Sequence, residues 1–232
     1  MASQVVHLKH IGKVTFSQNR RNKNIKLSVK PDKSVLVSFP FFISPKEAMA
    51  FVAKNEKWVL KQQEKMQARS TAIKPDTEIE TKLHKVRIIQ GKKNEARRKG
   101  DTIILSIMDF NNDDSIAFID DILTAIYRHE AKRLLPVRIS DLAKKYGFTY
   151  NKITIRNNRR NWGSCSSKNN ISLNLQMMKL PVKLIDYILL HELVHTEIKN
   201  HGPEFWNRLN QITSGKAREL ARDVKKYSTY TL

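Results

Sequence analysis

The stretch Tyr187–Trp206, YILLHELVHTEIKNHGPEFW, sets three histidines and a glutamate inside an otherwise apolar segment. Read as a helix, it carries His191 and His195 four residues apart, so their side chains leave one face about 40° from each other. Two imidazoles so placed can share one ion, and neutral imidazole is a good zinc ligand. Glu192 lies beside that face rather than opposite it, where it can take a proton from an activated water without itself being a ligand. His201 follows His195 by six residues, just beyond the expected helix end. It supplies the third protein ligand of a catalytic zinc that keeps one position open. Asn200 is the residue expected to adopt the left-handed conformation that turns the chain back.

The surroundings favour this reading. Apolar residues from Val182 to Ile198 distribute around the whole helix, which predicts burial on nearly all sides. Burying two histidines and a carboxylate without partners is costly, and a bound cation would resolve the difficulty. At this chain's own composition, the five-residue motif arises by chance in roughly one such chain in a hundred, and His201 lowers that by a further ~30-fold. Two competing readings stay open: polar residues satisfied by hydrogen bonds with no metal, and a structural zinc without catalysis. The remaining histidines, His7, His10, His84 and His129, have no ligand-like spacing, and Asp186 projects from the side opposite His191.

The chain is 232 residues long, enough for one large domain or two small ones, with the balance of apolar and charged residues of a globular protein. The single cysteine, Cys165, excludes an internal disulfide. The first residues lack a signal-like apolar core and no apolar run reaches the ~20 residues of a membrane span, so a cytoplasmic protein without a membrane partner is expected. The net charge of +21 is spread over both halves: residues 1–110 hold 23 Lys and Arg against 10 Asp and Glu, and residues 111–232 hold 20 against 12. A positive surface raises encounter rates with polyanions, which makes nucleic acid a possible partner without naming one. No internal repeat is visible in the sequence.

Residues 5–39 read as strands: VHLKHIGKVTF, IKLSV and SVLVSF, with KPDKS as the turn between the last two. A helix over residues 44–66 follows, with Ser44 as N-cap, Pro45 in its first position and Glu47 completing a capping box. Residues 78–90 and 102–107 read as a strand pair around the basic turn GKKNEARRKG. A long helical region runs from Asp114 to about Tyr146, with Pro136 as its point of bending or breakage. FNNDD, residues 110–114, is the expected boundary. Beyond it, KITIRN and NISLNLQM alternate as strands, and Pro181, Pro203 and the segment GKARELARDVKKY mark three further helices.

The segment NWGSCSSKNNISLNLQMMKLPVKLIDYILLHELVHTEIKNHGPEFW resembles the YgjP-like metallopeptidase domain, a relative of WLM and SprT-like zinc peptidases, with the likeness running from about residue 20 to residue 215. The resemblance implies an α+β fold: a strand-rich N-terminal region over residues 1–110, then a zincin-like helical domain over residues 111–232. A small antiparallel sheet would lie beside the motif helix. It implies a zinc-dependent peptidase acting on protein or peptide substrates, with zinc on His191, His195 and His201 and Glu192 as general base. Two departures are visible. Ile198 stands where the similarly spaced metzincin peptidases have glycine, and Asn161 stands where the family usually has arginine before Trp162-Gly163-Ser164-Cys165, which leaves Arg159 and Arg160 as candidate substitutes. NISLNLQM is the expected rim strand of the cleft, onto which an extended substrate would add. Cys165 is read as a small buried residue, Gly163 as a tight turn, and Phe205 and Trp206 as packing between helices. The rival from another class is a basic nucleic-acid-associated protein that uses a peptidase-like fold as a platform.

Overall fold

A computed structural model describes residues 3–30, 33–70 and 73–231, with the backbone alone for 65–70. By contacts the chain forms two compact units, Met1–Lys74 with Asn111–Asp113, and Pro75–Phe110 with Asp114–Leu232.

The first unit is a four-stranded sheet with two helices. Its strands are β1 (Ser3–Leu8), β2 (Gly12–Gln18), β3 (Lys26–Val29) and β4 (Val35–Phe39), in the order β1-β2-β4-β3. The expected strand VHLKHIGKVTF is a hairpin, because Gly12 takes φ +71° and reverses the chain. Pro31 and Asp32 of the expected turn lie outside the described residues; its ends are tied by the Lys30 amide donating to the Ser34 carbonyl at 2.8 Å. Alternate residues of β2 and β4 point inward, so Val14, Phe16, Val35, Val37 and Phe39 form the core with Ala48, Val52 and Val59 of the helices. α1 (Pro45–Lys54) starts as expected: the Ser44 hydroxyl accepts from the Glu47 amide and the Glu47 carboxylate accepts from the Ser44 amide. The one expected helix is two. Asn55 caps α1 with its side chain donating to the Phe51 carbonyl at 2.8 Å, and α2 (Glu56–Ser70) begins after it.

The second unit begins with a sheet of the same topology. β5 (Thr77–Glu80), β6 (Lys85–Gln90), β7 (Glu95–Lys99) and β8 (Thr102–Ile107) are ordered β5-β6-β8-β7, with the second and fourth strands parallel in both sheets. In each case a helix starts six residues after the fourth strand ends, so a topological repeat exists where the sequence displays none. The basic turn contains β7: its side chains are largely exposed and carry no apolar alternation to betray a strand. α3 (Asp113–Tyr146) continues through Pro136 without a break. The residues before 110 go with this unit because Glu130 of α3, wholly buried, accepts from the Thr81 hydroxyl, the Lys82 and Leu83 amides and the His84 ring at 2.5–3.0 Å. Asn94 is likewise bonded to Ser115 at 3.0 Å. The units therefore divide at Pro75, where the change from strands to helices near residue 110 had suggested a boundary between 1–110 and 111–232.

The remainder of this unit positions the histidines. β9 (Lys152–Arg156), β10 (Gly163–Cys165) and β11 (Asn170–Asn174) form a sheet ordered β10-β11-β9. It is mixed, since β10 runs antiparallel to β11 and β9 parallel to it. A buried 3-10 turn, Leu175–Lys179, leads into α4 (Val182–Glu197), α5 (Pro203–Ile212) and α6 (Ala217–Val224). α4 is buried on nearly all sides, as its apolar residues predict, and it packs against β10, α5 and α6. Asp186 faces away from the site and makes a bidentate pair with Arg138 at 2.6 Å. No helix among the described residues is long and apolar enough to cross a membrane.

Candidate metal centre

His191 and His195 share one face of α4, and the chain leaves the helix through Ile198 in extended conformation, φ −118° and ψ 106°. His201 then returns over that face. Its Nε2 lies 3.0 Å from His191 Nε2 and 3.1 Å from His195 Nε2. One ligand atom from each of the three lies within 4.8 Å of the others, and no second group among the described residues meets that geometry. Tetrahedral nitrogen ligands at zinc distances of about 2.0–2.1 Å are about 3.3–3.4 Å apart. The trio is within a few tenths of an ångström of that spacing for two of its three pairs, so the donor set fits a zinc-sized cation.

Ile198 explains how this chain dispenses with the metzincin glycine. Among the described non-glycine residues, positive φ occurs at Lys33, Asp76, Asn169 and Ser214. Asn200 is not one of them, and the expected left-handed turn there is absent. The extended backbone at Ile198 tolerates a β-branched side chain, and it offers the Ile198 carbonyl to His195, whose Nδ1–H donates to it at 3.0 Å. That bond selects the tautomer whose Nε2 carries a free lone pair toward the other two rings.

Phe205 forms the floor beneath the rings. It is wholly buried, and its ring centroid lies 4.9, 4.5 and 4.7 Å from those of His191, His195 and His201. The helix-to-helix packing expected of it is real, yet its contact with all three imidazoles is what fixes their positions.

Glu192 sits beside the trio, only 5% exposed, with Oε2 buried and lacking a hydrogen-bond partner. Burial pushes its carboxyl up to about 8. Burial, then the neighbouring His195 and His201, push His191 down to about 3, and burial lowers His195 against the opposing bond to the Ile198 carbonyl. Each shift marks a charged form without a counter-charge. A dication would stabilise the carboxylate, and it binds imidazoles in the neutral form already favoured here. Gly163 presses on the same carboxylate: a Cβ there would lie 2.6 Å from Glu192 Oε1. The glycine thus serves close approach between β10 and α4, where the sequence suggested a tight turn.

A cleft of about 710 Å³ opens onto these groups, lined by Trp162, Gly163, His191, Glu192, His201 and Trp206 among others. β11, the expected rim strand, has both edges occupied by β9 and β10. Among the described residues the sheet's edge strands are β9 and β10, and of these β10 is the one that packs against α4. Asn161 lines the cleft, whereas Arg159 and Arg160 do not. The Arg159 guanidinium lies over the Tyr230 ring at 5.6 Å, and the Arg160 amide donates to Asn158. The cleft's arginines are Arg218 and Arg222 of α6, a segment the sequence reading gave no role. Cys165 is half-buried rather than enclosed; burial raises its thiol pKa, opposed by nearby Lys199, and the thiol donates to the Ser166 carbonyl.

The family model described as YgjP-like, metallopeptidase domain, matches residues 23–227. No curated protein sequence matches the chain. Among solved structures it is similar to two metallopeptidase zymogens. Jannalysin of Methanocaldococcus jannaschii is 24% identical over 39% of this chain and 93% of that one, with a TM-score of 0.35. Abylysin of Pyrococcus abyssi is 22% identical over 40% and 94%, with a TM-score of 0.36.

Proposed function

This chain belongs to the YgjP-like metallopeptidase domain family and is a metal-dependent peptidase; from that premise we propose that it hydrolyses peptide bonds with zinc held by His191, His195 and His201 and with Glu192 as general base. The observation that carries the reading is the convergence of three ring nitrogens beside a buried carboxylate. When bound, zinc supplies the Lewis acidity that polarises a scissile carbonyl and brings the pKa of water toward neutrality. The protein residues do the rest. The His195 bond to the Ile198 carbonyl and the Phe205 floor orient the rings so that their Nε2 atoms face one point. Glu192 takes a proton from the attacking water onto a carboxylate oxygen and passes it to the leaving amine. The free edge of β10 offers backbone groups with which an extended substrate strand can pair.

Elemental analysis of the purified protein beside its His201→Ala variant tests the ligand set: one equivalent of zinc is expected in the first and much less in the second. Equal zinc in both would remove His201 from the site. Glu192→Gln should keep the metal and lose hydrolysis by roughly 10²–10⁴-fold. A second reading, nucleic-acid association, has the +21 charge and the exposed basic strand β7 in its favour. It requires DNA or RNA affinity that falls steeply with salt, and absence of binding at low salt would dispose of it.

A further inference from the structure

One wall of the cleft is cationic. Arg218, Arg222 and Lys225 fall at i, i+4 and i+7 on α6 and its C-cap, so they share one helical face, and all three are exposed and line the cavity that contains His191, Glu192 and His201. α6 is fixed in place by buried Ala217, whose amide donates to Asn210 Oδ1 at 3.2 Å, after a turn through Gly215 at φ +78°. The guanidinium of Arg218 is seated over the Trp206 ring, 3.6 Å from its centroid, which reduces the freedom of that side chain. Among the described residues lining the cavity, the only carboxylate is Glu192, and it is buried. Asp223 on the same helix pairs with Lys226 at 2.7 Å and with Lys183 at 3.9 Å. Three cations therefore face the cleft; Asp223 also feels the charge of Arg222, but it is not among the residues lining the cavity, so this wall keeps a positive excess.

We propose that the Arg218–Arg222–Lys225 stripe selects substrates, capturing polypeptides that present a carboxylate beside the scissile bond, from an Asp or Glu side chain or from a free C-terminus. The inference rests on the peptidase reading of the same site. Guanidinium matches carboxylate geometry with paired hydrogen bonds, and a concave site focuses the field of its lining charges. A nucleic-acid strand suits the wall less well. Its bases need an open aromatic face, and on this wall the Trp206 face is covered by Arg218; the other aromatics lining the cleft, Trp162 and Tyr187, lie outside α6.

The test uses the zinc-loaded Glu192→Gln protein, which retains the cleft without turning substrate over, and measures binding by fluorescence anisotropy at low salt. The probes are a Glu-rich peptide and its Gln-matched twin, each with a free and an amidated C-terminus. The Glu peptide should bind roughly tenfold more tightly than its twin, because each exposed charge pair contributes a few-fold at most. Adding R222Q and K225Q should remove most of that preference. Adding K92Q and K99Q, an equal loss of charge on exposed residues outside the cleft lining, should not. Preference that survives amidation assigns the subsite to acidic side chains, and preference confined to free termini assigns it to the terminal carboxylate. Affinity that is equal for the twins and unchanged by amidation overturns the proposal, as does a preference unmoved by R222Q and K225Q. So does a single-stranded oligonucleotide that displaces the Glu peptide and itself loses binding in R222Q/K225Q. The peptidase reading fails separately: a wild-type protein with full zinc that hydrolyses no peptide, yet binds the acidic one selectively, sinks that reading and keeps the stripe. Hydrolysis indifferent both to acidic residues and to a free C-terminus sinks the stripe alone.

Discussion

Gly163→Ala is the most discriminating single change at this site. The new Cβ would lie 2.6, 2.7 and 2.8 Å from Oε1, Cγ and Cδ of Glu192. Ordinary contact begins near 3.4 Å, so β10 and the carboxylate must separate by about 0.6–0.8 Å. Neither partner yields easily. Gly163 is held in register opposite Leu173, and Glu192 is 5% exposed on a helix buried nearly all round. Overpacking of this kind costs about 1–3 kcal/mol. A catalytic group displaced by about 1 Å costs about 100-fold in rate, equivalent to about 2.7 kcal/mol. No ring nitrogen is among the atoms the methyl meets, so metal binding should survive. The expected result is one equivalent of zinc, a melting temperature lower by several degrees, and turnover of a fluorogenic peptide pool reduced about 100-fold. Combining Gly163→Ala with Glu192→Gln should cost little beyond the second change alone, since both act through one carboxylate. Wild-type turnover by a folded, zinc-loaded Gly163→Ala enzyme would refute the reasoning, as would full additivity in the double variant.

Three further outcomes follow from the same geometry. Removing zinc by chelation should abolish hydrolysis, reversibly on zinc return, while far-UV circular dichroism stays unchanged, because α4 is held by its own apolar burial; loss of helical signal would identify a structural zinc instead. Phe205→Ala should destabilise by about 3–5 kcal/mol, read from denaturant unfolding, and should also weaken zinc binding, since the three imidazoles lose their common floor. Glu130→Ala leaves the Lys82 and Leu83 amides and the His84 ring without their buried acceptor, while the Thr81 hydroxyl can still donate to the His84 carbonyl, and should destabilise by about 3–5 kcal/mol while the zinc content of folded protein is retained.

The candidate ligands were legible because their geometry is local. Four residues of helix bring His191 and His195 together, and six more reach His201, so spacing alone carries the arrangement. The start of α1 was legible for the same reason: a capping box spans only four residues, here Ser44 to Glu47. What escaped the sequence depends on partners far along the chain. β11 is the strand just upstream of the metal helix, so it looked like the rim, although its central place in the sheet gives it no free edge. β7 lay concealed because a strand exposed over most of its length has no apolar face to announce it. The boundary near residue 110 followed a change in element type, whereas the units follow contacts such as those of Glu130, 46–49 residues from its partners.

The same division runs through the site itself. The candidate ligands and base come from eleven consecutive residues, but the groups that constrain them come from elsewhere: Gly163 on β10 limits where Glu192 can sit, and Phe205 on α5 holds the rings. Arg218 and Arg222 on α6 shape what enters. The Ile198 carbonyl joins the two sets. It is a backbone group within the local stretch, yet its direction is set by an extended conformation that the motif does not specify. A motif with this spacing can therefore specify a type of hydrolysis while leaving its selectivity to residues with no fixed place in the sequence. Exchanging α6 for a neutral helix should alter which peptides bind before it alters how the bond is broken.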